Sequence, residues 1–343
     1  MGAPGTLANR CRGTAASALA SVMAACGGGG SGTDTQPAAV DITRSRLAAA
    51  TATANSASNA CAGIGPFYWE LGDRNGLQGS ASVNRGAATN VYDANTAMPI
   101  ASASKWLYGA YVAQKRAGML SEDDVRYLSF RSGYTSFGIS GCSSALGETV
   151  GTCQSRPPNG DFNASDYGRF YYNGGHMQKH ATLPGMDLGP LDNAGLATEM
   201  QRLLGNDISI EYTQPQLAGG VRSTAASYAR FLRKLLRNDL AMTALLGGHP
   251  VCTNPASCRD AISTPTPPDL SWHYSIGHWV EDDPVSGDGA FSSAGAFGFY
   301  PWVSADKSLY GIVARRVVDA GAGAESAACG RLIRKAWVTG VAQ

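Results

Sequence analysis

Apolar residues recur at helical spacing in three long segments of the chain. The first segment follows Ser102 and ends near Gly118, the second begins after Thr224, and the third covers residues 325–338. Positions three and four residues apart lie on one side of a helix, so each segment presents an apolar side to a core. The residues that set the spacing are Trp106, Leu107, Tyr108 and Tyr111, then Tyr228, Phe231, Leu232 and Leu235, then Leu332, Ile333, Ala336 and Trp337. We therefore predict three buried helices.

Segments typical of strands lie on both sides of this helical middle. The segment 66–73 contains three consecutive aromatic residues, which is typical of a strand, and residues 79–85 can pair with it across the turn at residues 73–76. Toward the other end, short apolar segments alternate with turn residues, at positions 274–280, 289–301 and 309–317. The pattern predicts an α+β protein whose antiparallel strands come from both ends of the chain.

The composition fits a folded domain that handles a small molecule. Of the 343 residues, 44% are apolar and 15% are charged, so the chain can bury a large core, and we assign residues 61–343 to one domain. The chain has 27 Lys and Arg residues and 26 Asp and Glu residues. This balance provides no positive surface for nucleic acid or for an acidic membrane. We expect a neutral or small substrate.

The beginning of the chain resembles a bacterial lipoprotein signal. Arg10 and Arg12 precede a weakly apolar run, and Met23-Ala24-Ala25-Cys26 is followed by a run of glycines. Small residues before a cysteine suit cleavage and lipid attachment, so we predict a signal peptide over residues 1–25, lipidation of Cys26 and a flexible tether over residues 26–60. The protein would then be exported and held by a lipid anchor, facing the periplasm or the cell exterior. A plain secretory signal is the alternative.

The cysteines support export. After removal of Cys11 with the signal and acylation of Cys26, six cysteines remain. Two pairs would each close a short loop rich in Gly, Pro and Ser, and the last pair would join the two ends of the domain. The predicted pairs are Cys142–Cys153, Cys252–Cys258 and Cys61–Cys329. Free buried cysteines are the alternative, and the absence of a paired Cys-x-x-Cys argues against zinc.

A potential nucleophile and base lie on the first turn of the first predicted helix. Ser102 and Lys105 are three residues apart, which puts both side chains on one face of a helix. A serine hydroxyl needs a neighbour that takes its proton, and a helix N-terminus supplies N–H groups for the oxyanion that follows attack. The same spacing occurs at Ser304 and Lys307, but in a polar, turn-like stretch. We therefore choose Ser102 as the nucleophile.

The segments around this helix resemble the serine hydrolases of the class C β-lactamase and D,D-peptidase superfamily. The resemblance begins with a strand hairpin, the Ser-Ala-Ser-Lys helix and the Gly-Met-Leu-Ser-Glu-Asp-Asp-Val-Arg-Tyr-Leu stretch. It continues with Phe130-Arg131-Ser132-Gly133-Tyr134, with Tyr171-Tyr172-Asn173-Gly174-Gly175, which contains a Tyr-x-Asn motif, and with Leu217-Ala218-Gly219-Gly220 at the start of a helix. The resemblance implies a β-lactamase/transpeptidase-like fold, in which N- and C-terminal helices flank an antiparallel sheet and residues 102–219 form an inserted helical lobe.

The resemblance also implies partners for Ser102 and Lys105. Tyr171 would pair with Lys105, whose ammonium group favours the ionised phenol, and the pair would relay the proton of Ser102. Asn173 would orient Lys105 or bind the substrate.

A third motif departs from the family pattern. The family usually carries Lys-Thr-Gly, or variants with His or Trp, on the strand beside the site, whereas the best match here is Ser293-Ala294-Gly295. Gly295 would let the substrate approach the strand closely, and the N–H groups of Ser102 and Ala296 would hold the oxyanion. The missing lysine weakens a β-lactamase interpretation, because that cation helps to hold a substrate carboxylate.

The function that the resemblance implies is hydrolysis of an ester or amide through an acyl-enzyme on Ser102, with no cofactor or metal. Two alternatives stay open: a D,D-peptidase or β-lactamase that acts on cell-wall-like substrates, and a non-catalytic binding lipoprotein of the same fold. His176 and His180, four residues apart, offer a histidine base or a metal pair instead, although no third ligand is evident. No Gly-x-Ser-x-Gly elbow occurs in the chain.

Overall fold

The computed structural model describes residues 1–2, 38–84, 91–138, 142–143, 147–319 and 321–343. Cys26 and all but the first two residues of the predicted signal peptide lie outside the described residues, so lipidation stays a prediction. The chain forms two compact units, Met1–Ala38 and Ala39–Gln343. The second unit contains every candidate site residue apart from Cys26.

Runs of strands lie toward both ends of the domain, and most of the helices lie between them. The helices are α1 (Ala38–Ala54), α2 (Ser104–Lys115), α3 (Glu122–Leu128), α4 (Val150–Ser155), α5 (Gly175–Ala181), α6 (Asn193–Leu204), α7 (Ala225–Leu236), α8 (Met242–Leu245) and α9 (Ala322–Thr339). The strands are β1 (Phe67–Gly72), β2 (Leu77–Val83), β3 (Met98–Pro99), β4 (Phe170–Tyr171), β5 (Glu211–Tyr212), β6 (Val221–Ser223), β7 (Val251–Cys252), β8 (Ala261–Ser263), β9 (His273–Tyr274), β10 (Trp279–Glu281), β11 (Ala290–Ser292), β12 (Tyr300–Val303) and β13 (Tyr310–Ala314).

The main sheet is antiparallel and uses both ends of the domain. Its strand order is β2-β1-β13-β12-β11-β10-β9-β7, so the hairpin before Ser102 pairs with the last strand of the chain. Every residue of β1 and β13 is buried, so these strands are covered on both faces of the sheet. The predicted α+β class with an antiparallel sheet is confirmed.

Helices α7 and α9 cover opposite faces of β12 and β13. Tyr300 and Trp302, two residues apart on β12, contact Arg334 of α9, whereas Tyr310, paired with Val303, contacts Arg233 of α7. Because side chains alternate across a strand, these contacts lie on the two faces of the sheet.

The predicted helices begin and end close to their expected residues. In α2 every residue from Ser104 to Ala113 is buried, which makes this helix the centre of the molecule. Helix α7 begins after Thr224, whose side chain accepts a hydrogen bond from the Ser227 N–H and so caps the helix. Helix α9 begins three residues before the expected position. Among the described residues, none of the helices is long and apolar enough to cross a bilayer.

The segment predicted as a tether contains a packed helix. Helix α1 buries Ala50 and Ala54, and the Thr53 hydroxyl accepts a hydrogen bond from the N–H of Gln343. The compact unit therefore begins before Cys61. Its alanine-rich sequence gives α1 little amphipathic signal, which is why residues 26–60 were predicted as a flexible tether.

Two of the three predicted disulfides are formed in the structure. Cys61–Cys329 joins the segment before β1 to α9, and Cys142–Cys153 closes a loop in the helical region. The predicted Cys252–Cys258 bond is absent: both residues are partly buried thiols that interact with each other. Within this loop the Asn254 carbonyl accepts from the Cys258 N–H at 2.9 Å, and the Asn254 side chain accepts from the Ala256 N–H and links the loop to the Pro268 carbonyl.

Candidate active site

Ser102 lies at the start of the central helix in a distorted turn. Strand β3 pairs with β6, the Ile100 N–H donates to the Val221 carbonyl, and a short 3₁₀ turn, Ala101–Ala103, leads into α2. Ala101 has φ +44°, a left-handed conformation that costs a residue with a Cβ roughly 1–2 kcal/mol. Packing at β3 and α2 holds this conformation and turns Ser102 toward a cavity.

Lys105 lies directly beside Ser102, as the helical spacing predicted. Its Nζ is 3.0 Å from Ser102 Oγ and donates to the Ala218 carbonyl at 2.8 Å. The residue is only 5% exposed, and this burial lowers the pKa of Lys105 to about 7. A large fraction of the amine is therefore neutral near pH 7 and can accept a proton, which an ordinary lysine cannot do there.

Tyr172, rather than the predicted Tyr171, is the tyrosine at this pair. The Lys105 Nζ lies 4.9 Å from the centroid of the Tyr172 ring, and the ring stacks on Trp279. Burial raises the pKa of Tyr172 to about 12, although hydrogen bonding of its oxygen with Ser102 and Trp279 opposes the rise. The phenol thus keeps its proton near neutral pH, contrary to the ionised tyrosine that the sequence suggested.

Tyr171 belongs to a backbone ladder instead. It pairs with Ser263 of β8, its N–H donates to the Phe130 carbonyl, and its carbonyl accepts from His176. Neighbouring residues in an extended segment point to opposite sides, so Tyr171 and Tyr172 cannot both face Ser102. The Tyr-x-Asn spacing pointed to Tyr171, whereas the residue that lies against Lys105 is Tyr172.

Asn173 holds a loop and does not contact Lys105. Its Oδ1 accepts from the Gly175 N–H at 2.8 Å and from the Phe137 N–H at 3.3 Å, and its Nδ2 donates to the Phe137 carbonyl. The carbonyl of Ala218 has the orienting role that was expected of Asn173. A backbone acceptor leaves no side-chain signal, and only the Ala-Gly-Gly resemblance pointed to this segment.

The third predicted segment lies against Ser102. The Ser293 hydroxyl donates to the Ser102 carbonyl at 3.0 Å and thereby holds the turn. A Cβ at Gly295 would collide with the Ile100 carbonyl oxygen, so only glycine at this position allows the segment to lie so close to the Ile100 backbone. Ala296 lines the same cavity as Ser102, and no acceptor for its N–H is found within the described part of the chain. This N–H suits a second oxyanion donor.

The two histidines belong to separate networks. His176 Nδ1 accepts from the Ser132 N–H and its Nε2 donates to the Tyr171 carbonyl, while burial lowers the pKa of His176 to about 3. His180 lies between Asp124 and the Tyr108 hydroxyl. Neither arrangement leaves a ring nitrogen for Ser102. Among the described residues, no cluster of three or more His, Cys, Asp or Glu side chains suits a metal ion.

A cavity of about 340 Å³ opens beside Ser102. Tyr172, Trp279 and Trp272 form one side of it, and the first turns of α9 form another. A proline-rich loop, residues 265–270, covers a third side. No role for this loop could be predicted from the sequence, because the loop reaches Ser102 only through the tertiary fold.

Solved structures with the same architecture cover most of this chain. A penicillin binding protein of Bacillus halodurans aligns with a TM-score of 0.52 and 13% identity over 76% of this chain and 94% of its own. The D-amino acid amidase of Ochrobactrum anthropi SV3 aligns with a TM-score of 0.57 and 9% identity over 88% and 99%. Simvastatin synthase (LovD) of Aspergillus terreus aligns with a TM-score of 0.54 and 12% identity over 88% and 98%.

These likenesses show the fold. The chain has the β-lactamase/transpeptidase-like fold that the sequence predicted, with the antiparallel sheet and helices of these structures. No family model and no curated protein matches the sequence.

Proposed function

We propose that this protein is a serine hydrolase that cleaves an ester or amide bond through an acyl-enzyme on Ser102. The observation that carries the proposal is the Lys105 amine, 3.0 Å from Ser102 Oγ, whose pKa is lowered to about 7 by burial. A hydroxyl beside a neutral amine, at the mouth of a cavity, is the arrangement that acyl transfer requires. No cofactor or metal takes part in this chemistry.

In the acylation step, Lys105 takes the proton of Ser102 as Oγ bonds to the substrate carbonyl carbon. The N–H groups of Ser102 and Ala296 stabilise the resulting oxyanion. The bond to the leaving group then breaks, and the proton passes from Lys105 to the leaving group through the Tyr172 phenol. Tyr172 takes the relay role that the sequence suggested for Tyr171, because its ring lies against Lys105.

In the deacylation step, water takes the place of the leaving group and the proton transfers occur in the reverse order. A water molecule gives a proton to the Tyr172–Lys105 pair while its oxygen attacks the acyl carbon, and the Ser102 oxygen leaves with that proton. The products are the free acid and the regenerated hydroxyl.

Covalent labelling tests the nucleophile. A fluorophosphonate probe should add one adduct to the wild-type protein and to Ser304→Ala, and none to Ser102→Ala, as measured by intact-protein mass spectrometry. Labelling of Ser102→Ala would mean another nucleophile, and a wild-type protein that is not labelled would favour the non-catalytic binding lipoprotein.

A substrate panel separates ester or amide hydrolysis from the D,D-peptidase or β-lactamase alternative. We expect turnover of p-nitrophenyl esters or short amides and no turnover of nitrocefin, because Ser293 occupies the position where the family carries a cation for the substrate carboxylate. Efficient hydrolysis of nitrocefin would reverse this choice.

The location that we propose is the membrane surface outside the cytoplasm, with a lipid on Cys26. A palmitate analogue supplied to cells that express the full chain should label the wild type and not Cys26→Ser. Equal labelling of both would exclude this anchor.

A further inference from the structure

The cavity beside Ser102 is built largely from apolar groups. Trp272 and Trp279 are nearly fully buried and line it on one side. Helix α9 contributes Gly323, Ala324, Ala327 and Ala328 to the lining, residues whose side chains are too small to fill the space. Alanines at positions 324 and 328, one helical turn apart, are exposed toward it. The size of the cavity is therefore determined by small residues on a helix.

The aromatic side of the cavity is rigid. Tyr172 stacks on Trp279 with the ring centroids 5.3 Å apart, and Trp279 packs edge-on against Trp272. The Trp272 indole N–H donates to Asp283, which fixes that ring as well. A cavity that is shaped before the substrate binds loses little conformational entropy on binding.

Arg331, a cation in the cavity lining, is already paired with carboxylates. Arg331 donates to the Ser286 carbonyl at 2.6 Å, and its guanidinium lies 3.6 Å from Asp283 and 3.7 Å from Glu281. Glu281 also pairs with Arg334, which binds Asp288. Of these charged side chains, only Arg331 and Asp269 line the cavity, one of each sign. Because Arg331 already has carboxylate partners, a substrate carboxylate would lose its hydration without gaining an unpaired cation there.

We propose that this cavity binds an uncharged, apolar part of the substrate next to the scissile bond. The enzyme would thus select esters or amides of apolar acids or alcohols and discriminate against substrates with a carboxylate in this position. The proposal rests on the proposed function, because the cavity selects substrates only if Ser102 is the nucleophile. The apolar part belongs either to the acyl group or to the leaving group, and separate substrate series distinguish the two.

The test measures kcat/KM along two series of esters. One is p-nitrophenyl esters of linear acids from acetate to dodecanoate, and the other is acetate esters of linear alcohols. Burial of one methylene corresponds to about a fourfold gain, so kcat/KM should rise by about this factor per carbon in one series until the chain fills the cavity. The series that shows the rise identifies the part of the substrate that is bound.

A variant on the helix side assigns the effect to this cavity. Ala324→Leu adds a larger side chain to the cavity lining, so it should shorten the longest accepted chain and lower kcat/KM for the longer esters at least tenfold more than for acetate. The control is Ala194→Leu, an exposed alanine on α6 away from the cavity, which should leave the chain-length profile unchanged. A flat profile in both series, or an equal loss for all chain lengths in Ala324→Leu, would overturn the proposal.

A charged substrate completes the test. The carboxylate is placed at the end of the chain, acyl or alcohol, whose series shows the rise. This charged ester should react at least tenfold more slowly than the uncharged ester of equal length, and an equal or faster rate would contradict the proposal. Fluorophosphonate labelling of Ser102 keeps the two proposals apart: loss of labelling refutes the nucleophile, whereas labelling without chain-length selection refutes only the apolar cavity.

Discussion

The chain contains two Ser-x-x-Lys segments, and their surroundings differ in every respect that matters for catalysis. Ser102 lies in the 3₁₀ turn that leads into α2, and Lys105 lies in the first turn of this buried helix, with the Lys105 amine 3.0 Å from the Ser102 hydroxyl. Ser304 and Lys307 lie in the turn between β12 and β13, where the Ser304 hydroxyl donates to Asp306 at 2.6 Å. Lys307 has φ +57° and donates to the Thr243 carbonyl, away from Ser304.

The difference shows that the spacing alone does not create a base. In the helix, three residues bring the amine to the hydroxyl, and burial removes the water that would keep the ammonium charged. In the turn, the left-handed conformation of Lys307 directs its amine away from Ser304, and the Asp306 carboxylate binds the Ser304 hydroxyl instead. The helix and its burial, not the pair of residue types, make the Ser102 segment reactive.

The largest expected effect comes from removing each lysine. Lys105→Met should lower kcat/KM by roughly a thousandfold, because the proton of Ser102 then has no acceptor. Lys307→Met should leave kcat/KM unchanged. Steady-state kinetics on a p-nitrophenyl ester measures both, and a comparable loss in the two variants would remove the distinction between the segments.

Tyrosine substitutions test the surroundings of the Ser102 segment, where the Tyr172 ring lies against Lys105. Tyr172→Phe keeps the ring and its stacking on Trp279 but removes the phenol, so kcat/KM should fall by about a hundredfold. Tyr171→Phe changes the neighbouring residue and should cost less than about threefold, since its contacts run through the backbone. The opposite order of effects would return the relay to Tyr171.

The pH dependence tests the state of the lysine. The neutral amine of Lys105 is the active form, and burial lowers its pKa to about 7. The kcat/KM value should therefore rise with pH, reach half of its plateau near pH 7 in the free enzyme, and fall about tenfold for each unit below pH 6. A profile that is flat between pH 5 and pH 9 would contradict a lysine base.

The smallest effect concerns stability. Between pH 7 and pH 10 the unfolded chain binds a proton on Lys105 that the folded protein lacks, so folding stability rises with pH across this window. Lys105→Met removes the burial cost and should raise the free energy of unfolding at pH 7 by about 1–3 kcal/mol, with a gain that shrinks toward pH 10. Lys307→Met should change it by less than about 0.5 kcal/mol. Denaturant unfolding at both pH values measures these differences, and a destabilised Lys105→Met would contradict the argument.

The features that the sequence predicted well are local. The Ser102–Lys105 pair follows from helical spacing, and the cap at Thr224 follows from its position before an apolar helix. The tyrosine was misassigned by one residue, because two adjacent tyrosines in an extended segment differ only in which side they face. That choice depends on how β4 pairs with β8, and single-sequence patterns carry no information on this pairing.

The features that the sequence missed are distant contacts. The Ala218 carbonyl that orients Lys105 lies 113 positions further along the chain and has no side-chain signature. Trp279 reaches the cavity through the pairing of β10 within the main sheet, Trp272 lies directly before β9 of the same sheet, and Pro265 reaches the cavity through its loop. The Cys252–Cys258 bond was predicted from loop length, whereas in the structure the turn is held by the hydrogen bond from the Cys258 N–H to the Asn254 carbonyl.

The stacked Tyr172 and Trp279 rings give the protein an optical reporter of its own. Two of its six tryptophans line the cavity, so a bound molecule would displace water from their indole rings and alter their emission. In Ser102→Ala, where no turnover is expected, titration with an uncleaved ester would then read out affinity by intrinsic fluorescence, without a label or a chromogenic group.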